Sequence, residues 1–175
     1  MKRSQVLPAI LVSVYMLSAC SEKHHEGTKV NASGKEQTAL EALPDEVRAA
    51  ALAARPRLDI SEVEYETRDG NEYYDVGGTL PDGSEIELDM TRIDGAWTVV
   101  EFQRDIGMGL VPGPVSEALA AAGAGWVPAR IIESDQGDGT VIYEFFGPGD
   151  DGKQVKKEVK WADEQAELLV DEWQH

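Results

Sequence analysis

The sequence predicts an α+β protein made of two tandem repeats, each a helix followed by a four-stranded antiparallel sheet, and three observations carry that expectation. Slid against itself by 69 positions, the chain sets Glu64 on Glu133, Asp69-Gly70 on Asp138-Gly139, Tyr74 on Tyr143 and Asp82-Gly83 on Asp151-Gly152. At 68 positions Leu43-Pro44 and Val47 fall on Val111-Pro112 and Val115, so the one-residue slip lies in a loop after each helix, where an insertion is tolerated. Each copy opens on a proline-led, alanine-rich stretch, and runs of alternating polar and apolar residues follow, separated by Asp-Gly dipeptides that suit tight hairpins.

The elements follow in order along the chain. Residues 1–19 read as an export signal: Lys2 and Arg3 form a positive start, and the apolar stretch from Val6 to Leu17 is shorter than the roughly 20 residues a spanning helix needs. Leu17-Ser18-Ala19-Cys20 then resembles the lipobox of bacterial lipoproteins. That resemblance implies cleavage before Cys20, acylation of its sulfur, and anchoring to membrane without spanning it. Ser21, where an Asp is absent, resembles signals sorted to the outer membrane of a cell that has one. Residues 20–38 carry the lipidated Cys20 and a tether too polar to bury a core, with an r.m.s. reach on the order of 25 Å. His24 and His25, with Glu22 and Glu26 beside them, could touch a metal, but the favoured expectation is a solvated tether, since a flexible site has no supporting shell.

The first repeat spans 39–106, with a helix over Pro44 to Arg55 and strands at Asp59–Arg68, Glu72–Gly77, Ser84–Thr91 and Ala96–Gln103. The second spans 107–175, with a helix over Pro114 to Ala122 and strands at Ala129–Gln136, Thr140–Phe146, Lys153–Trp161 and Ala166–Trp173. The last assignment is contested, since AELLVDEW has good helix propensity while its repeat partner AWTVVEFQ reads as strand; the repeat favours strand.

Charge and composition exclude several functions. With 33 acids against 16 Lys and Arg the net charge is -17, and losing residues 1–19 removes two cations and takes it to -19. Such a field repels nucleic acid and anionic lipid, and suits a cationic partner or metal ions. Cys20 is the single cysteine, so acylation would leave neither disulfide nor thiolate. The three histidines, His24, His25 and His175, all lie outside the expected sheets, and the many carboxylates read as a solvated face. An enzyme is not expected, and neither is a cofactor or a resident metal.

Alternation assigns the strand faces. In the first copy Val63, Tyr65, Tyr74, Val76, Ile86, Leu88, Met90, Val100 and Phe102 share the helix side. Glu62, Glu64, Glu66, Tyr73, Asp75, Glu85, Glu87, Asp89, Trp97, Val99 and Glu101 then face outward. The same phase in the second copy puts Ile131, Glu133, Ile142, Glu144, Phe146, Lys156, Glu158, Lys160, Leu168 and Val170 outward, a less acidic and more apolar face. Such a patch marks a contact surface, a place where the two sheets pair, or an inverted strand phase. The candidate partner-binding residues are Tyr73, Glu85, Glu87, Trp97, Ile142, Phe146 and Leu168.

Tyr73-Tyr74-Asp75-Val76, Asp82-Gly83-Ser84-Glu85-Ile86 and Arg130-Ile131-Ile132-Glu133, each following a helix with Leu-Pro or Val-Pro near its start, resemble tandem PepSY-like proteins across 39–175. The resemblance implies a fold like that of the β-lactamase inhibitor proteins, with an open sheet face for a partner, and an envelope protein such as a peptidase as that partner. None of the family's motifs is catalytic. The resulting expectation is a membrane-anchored binding or inhibitory module; its rival is an acidic carrier of cations or of a cationic ligand in the envelope.

Overall fold

The computed structural model describes residues 36–68, 70–123 and 125–173. The signal segment, Cys20, His24, His25 and His175 lie outside the described residues. The chain runs β1 (Glu36–Gln37), a 3-10 turn at Leu40–Ala42, α1 (Asp45–Ala54), β2 (Asp59–Arg68), β3 (Asn71–Thr79), β4 (Glu85–Ile93) and β5 (Ala96–Asp105). A second 3-10 turn at Met108–Leu110 leads into α2 (Gly113–Ala121), β6 (Arg130–Asp135), β7 (Val141–Pro148), β8 (Gln154–Ala162) and β9 (Gln165–Leu168).

The expected pair of helix-plus-four-strand repeats is corrected: among the described residues the strands form one nine-stranded antiparallel sheet in which each strand neighbours the next in sequence. The joining seam pairs β5 with β6, setting Phe102 opposite Asp135, Gln103 opposite Ser134, Arg104 opposite Glu133 and Asp105 opposite Ile132. Two separate sheets would each leave an inner edge with unpaired backbone groups, and fusing them satisfies both edges. Arginines clamp the seam: Arg104 Nε donates to Glu133 Oε1 at 2.7 Å, and Arg130 meets both oxygens of Asp105 at 2.8 and 3.1 Å. At the other edge Glu36 and Gln37, at the end of the expected tether, pair with Tyr65 and Glu64 of β2.

Both helices lie on one face of the sheet. Val47 and Ala51 of α1 are wholly buried in a cluster with Val63, Val76, Leu88 and Met90, and Val115 and Leu119 of α2 join Ile131, Tyr143, Phe145 and Val159. Register shows that the two clusters share a side: Leu88 stands opposite Phe102, Phe102 opposite Asp135, and Ile131 points the same way as Asp135 along β6. Each fully buried aliphatic side chain stabilises the fold by about 1.5–3 kcal/mol. The small alanines of α1 let it sit close to the strands while its first turn carries Asp45 and Glu46, which favour the positive end of the helix.

Two bulges bend the first half. Ile60 pairs with Gly78 and Glu62 with Gly77, so Ser61 is the extra residue; a Cβ on Gly78 would sit 2.4 Å from the Asp59 carbonyl oxygen, and glycine is required there. In the second bulge Asp89 pairs with Glu101 but Met90 with Val99, leaving Val100 as the extra residue. The ladder ends at Leu168, short of the expected Trp173, and residues 169–173 leave it as an irregular tail.

Candidate functional site

The face opposite the helices is built by alternation along β2 to β8, interrupted at the two bulges, and it divides into two chemically distinct halves. On the first half Asp75, Asp89 and Glu101 stand in a row across β3, β4 and β5, with Glu64 opposite Asp75 and Glu87 beside the row. Gln103 Nε2 bridges the row, donating to Asp89 Oδ2 at 3.2 Å and Glu101 Oε1 at 3.1 Å. Asp75, Glu87 and Asp89 each bring an oxygen within 4.8 Å of the others, a spacing that one divalent cation would span.

Across the seam the character changes. Ser134, Ile142 and Lys160 stand side by side in register on β6, β7 and β8, and Glu144 faces Glu158. Lys156 lies between the two carboxylates, 2.7 Å from Glu158 and 3.3 Å from Glu144. Burial pushes Glu144 up to about 7; Lys156 pulls the other way, and the facing Glu158 adds to the rise. Phe146 is half-buried, with the Arg130 guanidinium 5.8 Å from its ring centre.

The candidate residues fare differently. Tyr73, Glu85, Glu87, Ile142 and Phe146 do lie on the open face, Glu85 exposed and Tyr73 half-buried under the Arg68 guanidinium at 4.6 Å. Trp97 does not. It is 8% exposed on the helix side, edge-on to Tyr74 at 5.1 Å, its indole N–H donating to Glu46 of α1 at 3.0 Å and its ring covered by Arg92 at 4.6 Å. The extra residue Val100 explains the error: alternation read straight through β5 inverts the phase on one side of the bulge, and Val99 is misassigned with Trp97.

Leu168 is likewise turned inward, opposite Val159 and packed on the second core. Ile131 and Glu133 also belong to the helix side, because the seam pairs Glu133 with Arg104 and so fixes β6 in the opposite phase to that expected. Ile142 has the expected face but is 1% exposed, which makes it a floor of the surface and not a projecting anchor.

Sequence reasoning missed Trp173 and Gln136. Trp173 returns to the open face after the ladder ends: its backbone N–H donates to Glu158 Oε2 at 2.6 Å, its indole N–H donates to Gln136 Oε1 at 3.1 Å, and Lys160 lies 5.1 Å from its ring centre. A signal existed in the consecutive apolar residues Leu168-Leu169-Val170, which break strand alternation just where the strand stops. Compared with family models, curated proteins and solved structures, the chain matches none. The open face therefore has to be read from its own chemistry.

Proposed function

We propose that this chain is an exported envelope lipoprotein, held at a membrane by acylated Cys20, that binds a protein through the open face of its sheet. The observation that carries the reading is that both helices occupy one face of the strands, leaving on the other an acidic half beside a half of mixed charge and more apolar character. A partner engaging it is drawn by long-range charge to the acidic half around Asp75, Glu87 and Asp89 and packs on the second half. The PepSY resemblance makes an envelope peptidase the first class of partner to try, and no catalytic step belongs to this reading.

The test is capture from envelope extract with the full chain, compared with a Glu85→Lys, Glu87→Lys variant. A partner that saturates on the wild type and associates more slowly with the variant, the difference shrinking as salt rises, supports the reading. A partner held equally by both removes the open face from the binding event. Cys20→Ser should abolish incorporation of a fatty-acid analogue, and label retained by that variant would place the anchor elsewhere.

A second reading, a carrier of cations, is favoured by the convergence of Asp75, Glu87 and Asp89. Calorimetric titration with Ca²⁺ and Zn²⁺ separates it from the first: heats that vanish at modest salt mean screening alone.

A further inference from the structure

On the second half of the open face the last described residues fold back onto the sheet. Ile132 and Ile142 on this face are 7% and 1% exposed although, among the described residues, no helix lies on their side. Leu169 N–H makes one last sheet bond to the Glu158 carbonyl at 2.9 Å, and the chain then turns outward through Val170, which is 98% exposed, and the exposed Asp171 and Glu172. Trp173 comes back down. Its three attachments are Glu158 and Lys160 on β8 and Gln136 beyond β6, so they straddle β7, whose Ile142 stands in register between Ser134 and Lys160. Glu172 adds a loose ion pair with Lys156 at 3.6 Å, its own side chain being 70% exposed.

This tail is chemically matched to its seat and weakly fastened. Glu172 meets Lys156, and Trp173 is held by Glu158 and Gln136 with Lys160 against its ring, an aromatic and charged combination that concentrates energy at protein interfaces. Yet few of its residues are buried, and segments held by so few contacts open locally without global unfolding. It also leaves the seat incompletely used: Ser134 Oγ, in a residue 1% exposed, has no hydrogen-bond partner among the described residues. A ligand that reached this hydroxyl would hold the face better than the tail does.

We propose that residues 169–173 are a self-docked strap on the second half of the open face, and that a partner protein takes this half with an acidic segment whose aromatic residue displaces Trp173. The inference rests on the binding role of the open face and adds which chemistry it accepts. The strap makes binding competitive: the partner meets only the fraction of molecules whose tail has lifted, so removing the tail strengthens binding without adding a contact.

The experiment needs no natural partner. A fluorescent peptide with the sequence of residues 168–175, LLVDEWQH, is titrated by anisotropy against the full chain and against a variant ending at Leu168. The shortened chain should bind it saturably, and the full chain should bind it at least about tenfold more weakly. A peptide with Ala in place of Trp, or Lys160→Glu in the shortened chain, should each abolish most of that binding. Equal binding by the two chains, or none by a shortened chain that keeps its far-ultraviolet spectrum, overturns the strap. Where truncation unfolds the sheet, Trp173→Ala in the full chain replaces it: that variant should admit the peptide, and its failure to do so likewise overturns the proposal. Peptide binding without any captured envelope protein would sink the wider reading and leave the strap standing. A captured protein indifferent to the truncation would sink the strap alone.

Discussion

Trp97 owes its burial to one inserted residue. Because Val100 bulges from β5, the indole falls on the helix side, where it joins Tyr74, Arg92 and Glu46 into a lid at one end of the first core. Arg92 and the Trp97 indole hold the Glu46 carboxyl below its usual range. Trp97→Ala should therefore destabilise the fold by about 3 kcal/mol, read as a lower thermal midpoint, with no direct effect on the open face. An unchanged midpoint would mean that the indole contributes nothing to the core. Glu144 gives the second prediction at this scale. Its folded carboxyl keeps a proton up to about 7, whereas the unfolded one releases it near 4.5, so between those values the folded state binds more protons. The sign is that stability from this group is full below the unfolded value and is lost as pH rises through the folded one. Midpoints measured across about pH 5 to 8 should fall for the wild type and fall less for Glu144→Gln. Parallel curves for the two proteins would show that Glu144 titrates alike folded and unfolded.

At the scale of elements, the third hairpin of each half compares glycine with glutamate in one backbone shape. Asp94 and Gly95 have φ of 51° and 82°, and Asp163 and Glu164 reach 52° and 61° in the matching turn. A side chain in that left-handed region costs roughly 1 kcal/mol, which glycine avoids. Glu164→Gly should raise the thermal midpoint by a few degrees, and a drop would show that the Glu164 side chain makes up its own strain. The same turn shows what sequence makes legible. Helix and strand spans follow from local periodicity and turn residues, and β2 was expected at its observed bounds, Asp59–Arg68. Pairing was not legible, since alternation along β5 and β6 carries no signal that these two strands meet. Face was legible except at the Val100 bulge and along β6 and β9: Glu85, Glu87, Asp89, Ile142 and Phe146 were placed correctly, and Trp97, Val99, Ile131, Glu133 and Leu168 inverted. The tail was hidden for another reason, because its place depends on Gln136, Glu158 and Lys160, distant residues that no local pattern of AELLVDEW reveals.

The whole molecule is a question of whether two cores behave as one. Each half has its own helix and its own buried cluster, yet the backbone of β5 runs into β6 across only four paired positions. The ion pairs there are solvated, Arg104 being 53% exposed and Asp105 61%, so each contributes roughly 0.2–1 kcal/mol at most. Coupling must come mainly from the ladder itself. Ile106 N–H donates to the Ile131 carbonyl at 3.0 Å, and the alternation of antiparallel bonding makes Arg104 and Glu133 the next bonded pair. Since the pairing of β4 with β5 ends at Gln103, Arg104 serves the seam alone. Arg104→Pro therefore removes a seam donor and an ion pair while leaving both cores untouched. Calorimetry of the wild type should give one transition with matching calorimetric and van't Hoff enthalpies, and Arg104→Pro should split or broaden it so that the ratio departs from one. Two transitions already present in the wild type would mean that the seam joins the halves in space without coupling their stability. The open face would then be assembled from two independently unfolding parts, and a ligand spanning both would stabilise the less stable one more.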